Sequence, residues 1–288
     1  MLEKNPKYRE AIKRTLLYSS IFRYPLTYYQ LLTFLIIEPQ KEINTKSFEY
    51  ELAKLIKKQY VVIEDEKCIL PGTKYVEWDK GKKLAKILIK KNRTTFKMLK
   101  GIPWVKFIGI TGSGAAYNSD KDSDLDIFVI TQKNRTWITR CIFAIILKLI
   151  FKSYVKKGID PNIFIDETNL EWPKEHQNLY TANEIIRMHP IFNKDNTYFK
   201  FLDSNKWIEQ HMGNFRAYYV TADNKNPKES LQGEHMLNLI DSILMILQKV
   251  YMKRRITNEI VKKHFIHFNK NDSTNPILSK YQEKTSNL

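Results

Sequence analysis

The sequence predicts an α/β protein in three parts, and three observations predict it. The residues before position 78 carry apolar stripes at helical spacing and end in two short apolar runs around a charged turn. From Trp104 the pattern switches to strongly apolar runs of strand length, and from Leu179 helical periodicity returns. The expected parts are residues 1–78, residues 79–178, and a helical region at 179–288. With 43% hydrophobic residues, the 288-residue chain can bury a sizeable core.

Each element has its own signal. Ala11, Ile12, Leu16 and Leu17 form the stripe of a first helix. Thr27 and Gln30 make a capping-box pattern ahead of the run Leu31 to Ile37, and Glu38-Pro39 ends that second helix. A third helix follows Ser47, with Phe48, Leu52, Leu55 and Ile56 on one face. Tyr60 to Ile63 and Cys68 to Leu70 flank Glu64 to Lys67 as a hairpin. Three helices and a hairpin are the parts of a winged helix-turn-helix. Asp79 to Lys100 reads as a Lys-rich linking helix. Val105 to Thr111 and Leu125 to Thr131 read as strands, Thr136 to Lys156 as a long helix, and Ile159 to Asp166 as a half-buried strand. Thr181 and Glu184 suggest a second capping box. Helical stretches follow near Tyr198 to Gln210 and Met236 to Met252, and Pro276 can open a last short helix.

Composition narrows the function. Two cysteines, Cys68 and Cys141, give neither a disulfide framework nor zinc spacing, which fits a reducing cytoplasm. The charged start has no apolar signal region, and Cys141 to Phe151 is too short to span a bilayer. The net charge of +17 has two readings: a polyanion partner such as RNA, DNA or anionic lipid, or a solvated lysine-rich surface. Lys46, Lys54, Lys57 and Lys58 would lie on or beside the third helix and could contact phosphates, but Glu49 and Glu51 stand where base-reading side chains belong. Among the histidines, His211, His235, His264 and His267 show no metal spacing.

The chemistry is concentrated in Phe107-Ile108-Gly109-Ile110-Thr111-Gly112-Ser113-Gly114-Ala115 and Ser123-Asp124-Leu125-Asp126-Ile127-Phe128-Val129. Strand alternation puts Asp124 and Asp126 on one face, where two carboxylates can bracket Mg²⁺ (or Mn²⁺). Paired metals stabilise the attacking and leaving oxygens of an in-line displacement at phosphorus. Gly112 and Gly114 let the backbone approach a triphosphate, and the Ser113 hydroxyl can donate to a phosphate oxygen. Arg135 and Arg140 follow the second strand and are candidates to reach the triphosphate, against a solvated helix face; Lys121 is equally open. For Glu184, a helix cap is favoured over a base.

This segment resembles the signature of the polymerase-β-like nucleotidyltransferase superfamily: an apolar residue, Gly-Ser, a loop, then Asp-x-Asp on a strand. The strong match runs from Val105 to Thr131. More loosely, the chain is similar to bacterial nucleotidyltransferase-domain proteins with an N-terminal winged helix, through Phe22 to Thr27, Leu179 to Glu184, Asn205 to Trp207 and Arg254 to Glu259. The resemblance implies a mixed-sheet core on helices, Gly112 and Ser113 at the triphosphate, and Asp124 and Asp126 at the metals. It also implies a third carboxylate on the next strand. Ile159, Ile163 and Ile165 share one parity, which puts Asp160, Asn162 and Asp166 on the other face. Asp160 is the candidate; Asn162, a weaker metal ligand, and Asp166 are the alternatives. The expected function is metal-dependent transfer of a nucleoside monophosphate from an NTP to an acceptor, with release of pyrophosphate. One alternative is a nucleic-acid-binding regulator whose core senses nucleotide. Another is a toxin–antitoxin-type transferase acting on tRNA or protein. The acceptor, the preferred NTP and the oligomeric state are not encoded in these motifs.

Overall fold

The computed structural model describes residues 5–39, 44–116, 124–150, 158–215, 234–253, 259–268, 272–286 and 288. At the N-terminal end, α1 (Pro6–Ile21) starts from the Asn5 side chain, which accepts from the Lys7 N–H. A two-residue strand β1 (Leu26–Thr27) leads into α2 (Tyr28–Thr33), whose Thr27–Gln30 capping box is complete in both directions. Next, α3 (Thr45–Lys57) begins two residues before Ser47, because Asn44 is the cap that accepts from the Ser47 N–H. The expected hairpin forms as β2 (Val62–Glu64) and β3 (Lys67–Ile69), turning through positive φ at Asp65 and Glu66. The small sheet has order β1-β3-β2. Ile12, Leu16, Leu31, Phe48, Leu52 and Leu55 fill the core of this unit, whereas Ile56 is exposed. The acidic residues of α3 are engaged within the protein: Glu51 is buried against Arg9 at 2.8 Å, and Glu49 accepts from the Tyr28 hydroxyl.

The expected linking helix is two helices, α4 (Trp78–Lys91) and α5 (Arg93–Leu99), broken at Asn92, whose side chain donates to the Leu88 carbonyl. The main sheet is mixed and six-stranded. Its strands are β4 (Val105–Ile110), β5 (Leu125–Thr131), β6 (Ile159–Asp166), β7 (His189–Asn193), β8 (Ile260–Val261) and β9 (Phe265–His267), in the order β7-β4-β5-β6-β9-β8. Between β4 and β5 lies the four-residue turn of helix α6 (Gly112–Ala115). The β5–β6 pair is parallel and the other neighbours are antiparallel. The region after 178 was expected to be helical, yet it supplies three of the six strands, so a boundary at 178 cuts through the sheet.

Helices cover both faces of that sheet. The expected long helix is α7 (Thr136–Ile145), which continues as a π-helical turn to Ile150; residues 151–157 lie outside the described residues. The remaining helices are α8 (Leu179–Arg187), α9 (Thr197–Ser204), α10 (Glu234–Met252) and α11 (Thr274–Thr285). On one face Phe107, Phe128, Ile130, Ile163 and Ile165 pack against α8 and α9 through Ile185, Tyr198 and Phe201. On the other, Ile108, Ile127, Val129 and Phe164 meet α5, α7 and α10. No described helix is long and apolar enough to cross a membrane.

Candidate functional site

The site forms where β4 ends beside the start of β5. The Thr111 N–H donates to the Asp126 carbonyl at 2.9 Å, carrying the ladder one residue past β4. The chain then turns at Gly112 with φ +60°, a left-handed conformation that favours glycine. A Cβ on Gly112 would stand 2.8 Å from the Asp126 Oδ2 atom, so the turn is both left-handed and pressed against a carboxylate. Gly114 has a different use: a Cβ there would meet Ile110 Cγ2 at 3.0 Å and Leu125 Cδ2 at 3.1 Å, so it lets α6 lie close on the strands. Ser113, between them, is half-buried.

The carboxylates come from three elements. Asp124 is exposed just before β5, and its Oδ1 accepts from the Gly158 N–H at 2.7 Å. Asp126 lies opposite Asp160 in the register of the parallel β5–β6 pair, so both side chains project from the same face. Asn162 Nδ2 donates to Asp126 Oδ1 at 2.5 Å. The parity expected for β6 is corrected here. Pro161 has no N–H to give the ladder, and the register slips between Ile127 and Phe128 of β5, with Asn162 as the extra residue. As a result Ile159 packs with the α7 side while Ile163 and Ile165 pack with the α8 side. The bulge keeps Asp160 and Asn162 beside Asp126. Asp166 lies at the far end, where its carboxylate takes the Asn134 and Thr168 N–H groups and His264 Nδ1.

Glu184 was expected to be a helix cap, and the structure gives it another position. Asn178 caps α8 by accepting from the Thr181 N–H, so Glu184 sits a turn further in. Its Oε2 accepts from the Gly112 N–H at 3.2 Å. Burial raises its pKa, against the opposing pull of Arg187 and that hydrogen bond. Asp126 is pushed up to about 7, first by burial, then by Asp160, Glu184 and Asp124, with the Asn162 hydrogen bond opposing. Asp160 is raised as well, by desolvation and then by Asp124. Among the described residues no Lys, Arg or His forms an ion pair with Asp124, Asp126 or Asp160.

A cavity of about 180 Å³ opens from this point. Thr111, Gly112, Asp126 and Asn162 line it, together with Trp172, Tyr180 and His267. Burial lowers His267 to about 4, which leaves its ring neutral near pH 7. Trp172 and His267 carry no motif, whereas Tyr180 and Glu184 lie in the Leu179 to Glu184 stretch of the looser resemblance, where the spacing of Glu184 equally suits a cap.

The two arginines lie elsewhere. Roughly 16 Å of strand separates Asp126 from the far end of β5, beyond which Arg135 begins α7. Arg135 is buried and donates to the Asn134 carbonyl at 2.7 Å and to Asn238 Oδ1 of α10 at 2.5 Å. Arg140 is held by Gln248 and Met252 of α10 and lies 4.7 Å over the Phe268 ring. Both are committed to joining α7 and α10 instead of reaching the Gly112 turn. Lys121 lies outside the described residues.

The donor set at the Asp126 end is all oxygen, the kind that suits Mg²⁺ or Mn²⁺. Among the described residues no group of three His, Cys, Asp or Glu side chains is gathered about one point. Asp124 and Asp126 each spend one oxygen on a protein donor and keep the other. In kind these residues fit a hard divalent cation. No family model, curated protein or solved structure matches the chain.

Proposed function

We propose that the chain is a metal-dependent nucleotidyltransferase, in which an acceptor nucleophile attacks the α-phosphorus of an NTP and pyrophosphate leaves. The observation that carries this reading is the pairing of Asp126 with Asp160 on one sheet face beside the left-handed Gly112 turn. Asp124, Asp126 and Asp160 would hold Mg²⁺ or Mn²⁺, which supplies charge neutralisation and orientation of the phosphates.

The protein's own part is positioning and electrostatics. The Gly112 turn and the Ser113 hydroxyl would hold the phosphate chain, with no Cβ to obstruct it. Glu184 fixes the Gly112 N–H and so the shape of the turn. Asp160 would take the acceptor's proton at a carboxylate oxygen, and a raised pKa brings a carboxylate closer to what a base needs near neutral pH. Lys82, Lys83, Lys86 and Lys90 on α4, with the overall charge of +17, favour a polyanionic acceptor such as RNA or DNA, and the N-terminal helices and hairpin suit a winged-helix docking unit.

A second reading, a nucleotide sensor without turnover, is favoured by Asn162 occupying one Asp126 oxygen. One experiment separates the two. The chain is incubated with each α-labelled NTP, Mg²⁺ or Mn²⁺, and total cell RNA or lysate. Transfer of label to an acceptor, lost in Asp126→Asn, supports the enzyme. Tight MgNTP binding with no labelled acceptor supports the sensor and overturns the transferase.

A further inference from the structure

Helix α10 meets the protein through Leu244, Met245 and Met252 and through polar side chains as well. Four of its polar side chains face the protein: Asn238 meets Arg135, Asp241 Oδ1 accepts from the Ile138 N–H at 2.8 Å, Gln248 donates to the Trp137 carbonyl at 3.0 Å, and Lys249 lies over the Trp137 ring. The face turned away is apolar. Met236, Leu239, Ile243, Ile246, Leu247 and Val250 are between 47% (Ile243) and 68% (Met236, Val250) exposed. An isolated surface helix keeps its outward face polar, because apolar area in water costs about 25 cal/mol per Å².

We propose that this face is the interface of a symmetric homodimer in which two α10 helices pack antiparallel. Three features point to a second copy. First, Met236, Leu239, Ile243, Ile246 and Val250 alternate spacings of three and four, the seam that packs side chains of one helix between those of another. Second, the stripe is symmetric about Ile243: Leu239 and Leu247 lie four residues to either side, and Met236 and Val250 seven. A two-fold interface needs such self-complementarity, since each contact is made twice. Third, the exposed face offers on the order of 700 Å². That exceeds the largest patch of an ordinary monomer and is close to the roughly 800 Å² each partner gives a standard interface. An anionic lipid surface suits it less well: such helices carry lysines beside the apolar face, whereas Lys249 is drawn back over Trp137.

The test is sedimentation of the full chain at micromolar concentration. The expected species has twice the 34.3 kDa chain mass. Ile243→Glu places two carboxylates at the two-fold axis and should weaken the dimer by about 100-fold or more, leaving the circular dichroism unchanged. Ile243→Cys should cross-link to itself under mild oxidation, while Met236→Cys alone should not; together, Met236→Cys and Val250→Cys should cross-link. A wild-type chain that sediments as a monomer overturns the proposal, whether residues 216–233 or phosphatidylglycerol vesicles are then found on the stripe. A dimer that Ile243→Glu leaves intact overturns it as well, and self-linking of Met236→Cys overturns the antiparallel arrangement.

Discussion

The parallel pair β5–β6 carries carboxylates at both ends, and the two ends treat them oppositely. At the far end Asp166 is completely buried, yet two backbone N–H groups, the Thr168 hydroxyl and His264 surround it. At the near end Asp126 feels the charges of Asp160, Glu184 and Asp124, and no described cation forms an ion pair with the three aspartates. Asp126 is raised to about 7 there. A carboxylate with a full set of donors holds structure together. A group of carboxylates that repel one another costs stability, which is the arrangement expected of a place kept for a cationic ligand.

The largest effect that can break this comparison is on activity. Asp124→Asn, Asp126→Asn and Asp160→Asn should each cut nucleotide transfer by about 10²-fold or more while the fold survives, as measured by label transfer beside circular dichroism. Asp166→Ala should do the opposite. It leaves the Asn134 and Thr168 donors and His264 without their acceptor, so denaturant unfolding should show a loss of about 3 kcal/mol. Full activity in Asp126→Asn, or an Asp166→Ala chain as stable as wild type, would mean the two ends had been assigned the wrong way round.

A smaller effect sharpens it. The folded chain holds the Asp126 proton up to about pH 7, whereas the unfolded chain loses it near the ordinary value of roughly 4. The folded state therefore binds more protons across that window, and stability falls as pH rises through it. Without divalent metal, Asp126→Asn should raise Tm by about 2–5 °C at pH 8 and by nothing near pH 4. A gain of equal size at both pH values would detach the effect from ionisation.

Much of this was legible in the sequence. The apolar run placed the start of β5 at Leu125, whereas Asp124, expected on the strand with Asp126, stands exposed just before it. The bulge was not read, although Pro161 in mid-strand was its signal; a slip of one residue inverts every side chain beyond it. That slip is why Ile159 and Ile163, which share a parity in sequence, pack in different layers. Arg135 and Arg140 were misjudged because their partners lie about a hundred positions away on α10, beyond any local pattern. The three late strands escaped notice for a simpler reason: β8 and β9 have two and three residues, too few to show alternation, and β7 begins two residues after α8 ends.

The direct test of the near end is a calorimetric titration of Mn²⁺ into the full chain at pH 7, in buffers of different ionisation heat. A cation binding at Asp126 must displace the proton that this carboxylate holds about half the time. The predicted result is release of about half a proton per bound ion at pH 7, more at pH 6, and a clear reduction in Asp126→Asn. Binding without proton release, or release that Asp126→Asn leaves unchanged, would contradict the assignment of this end of the sheet to a metal-bound nucleotide.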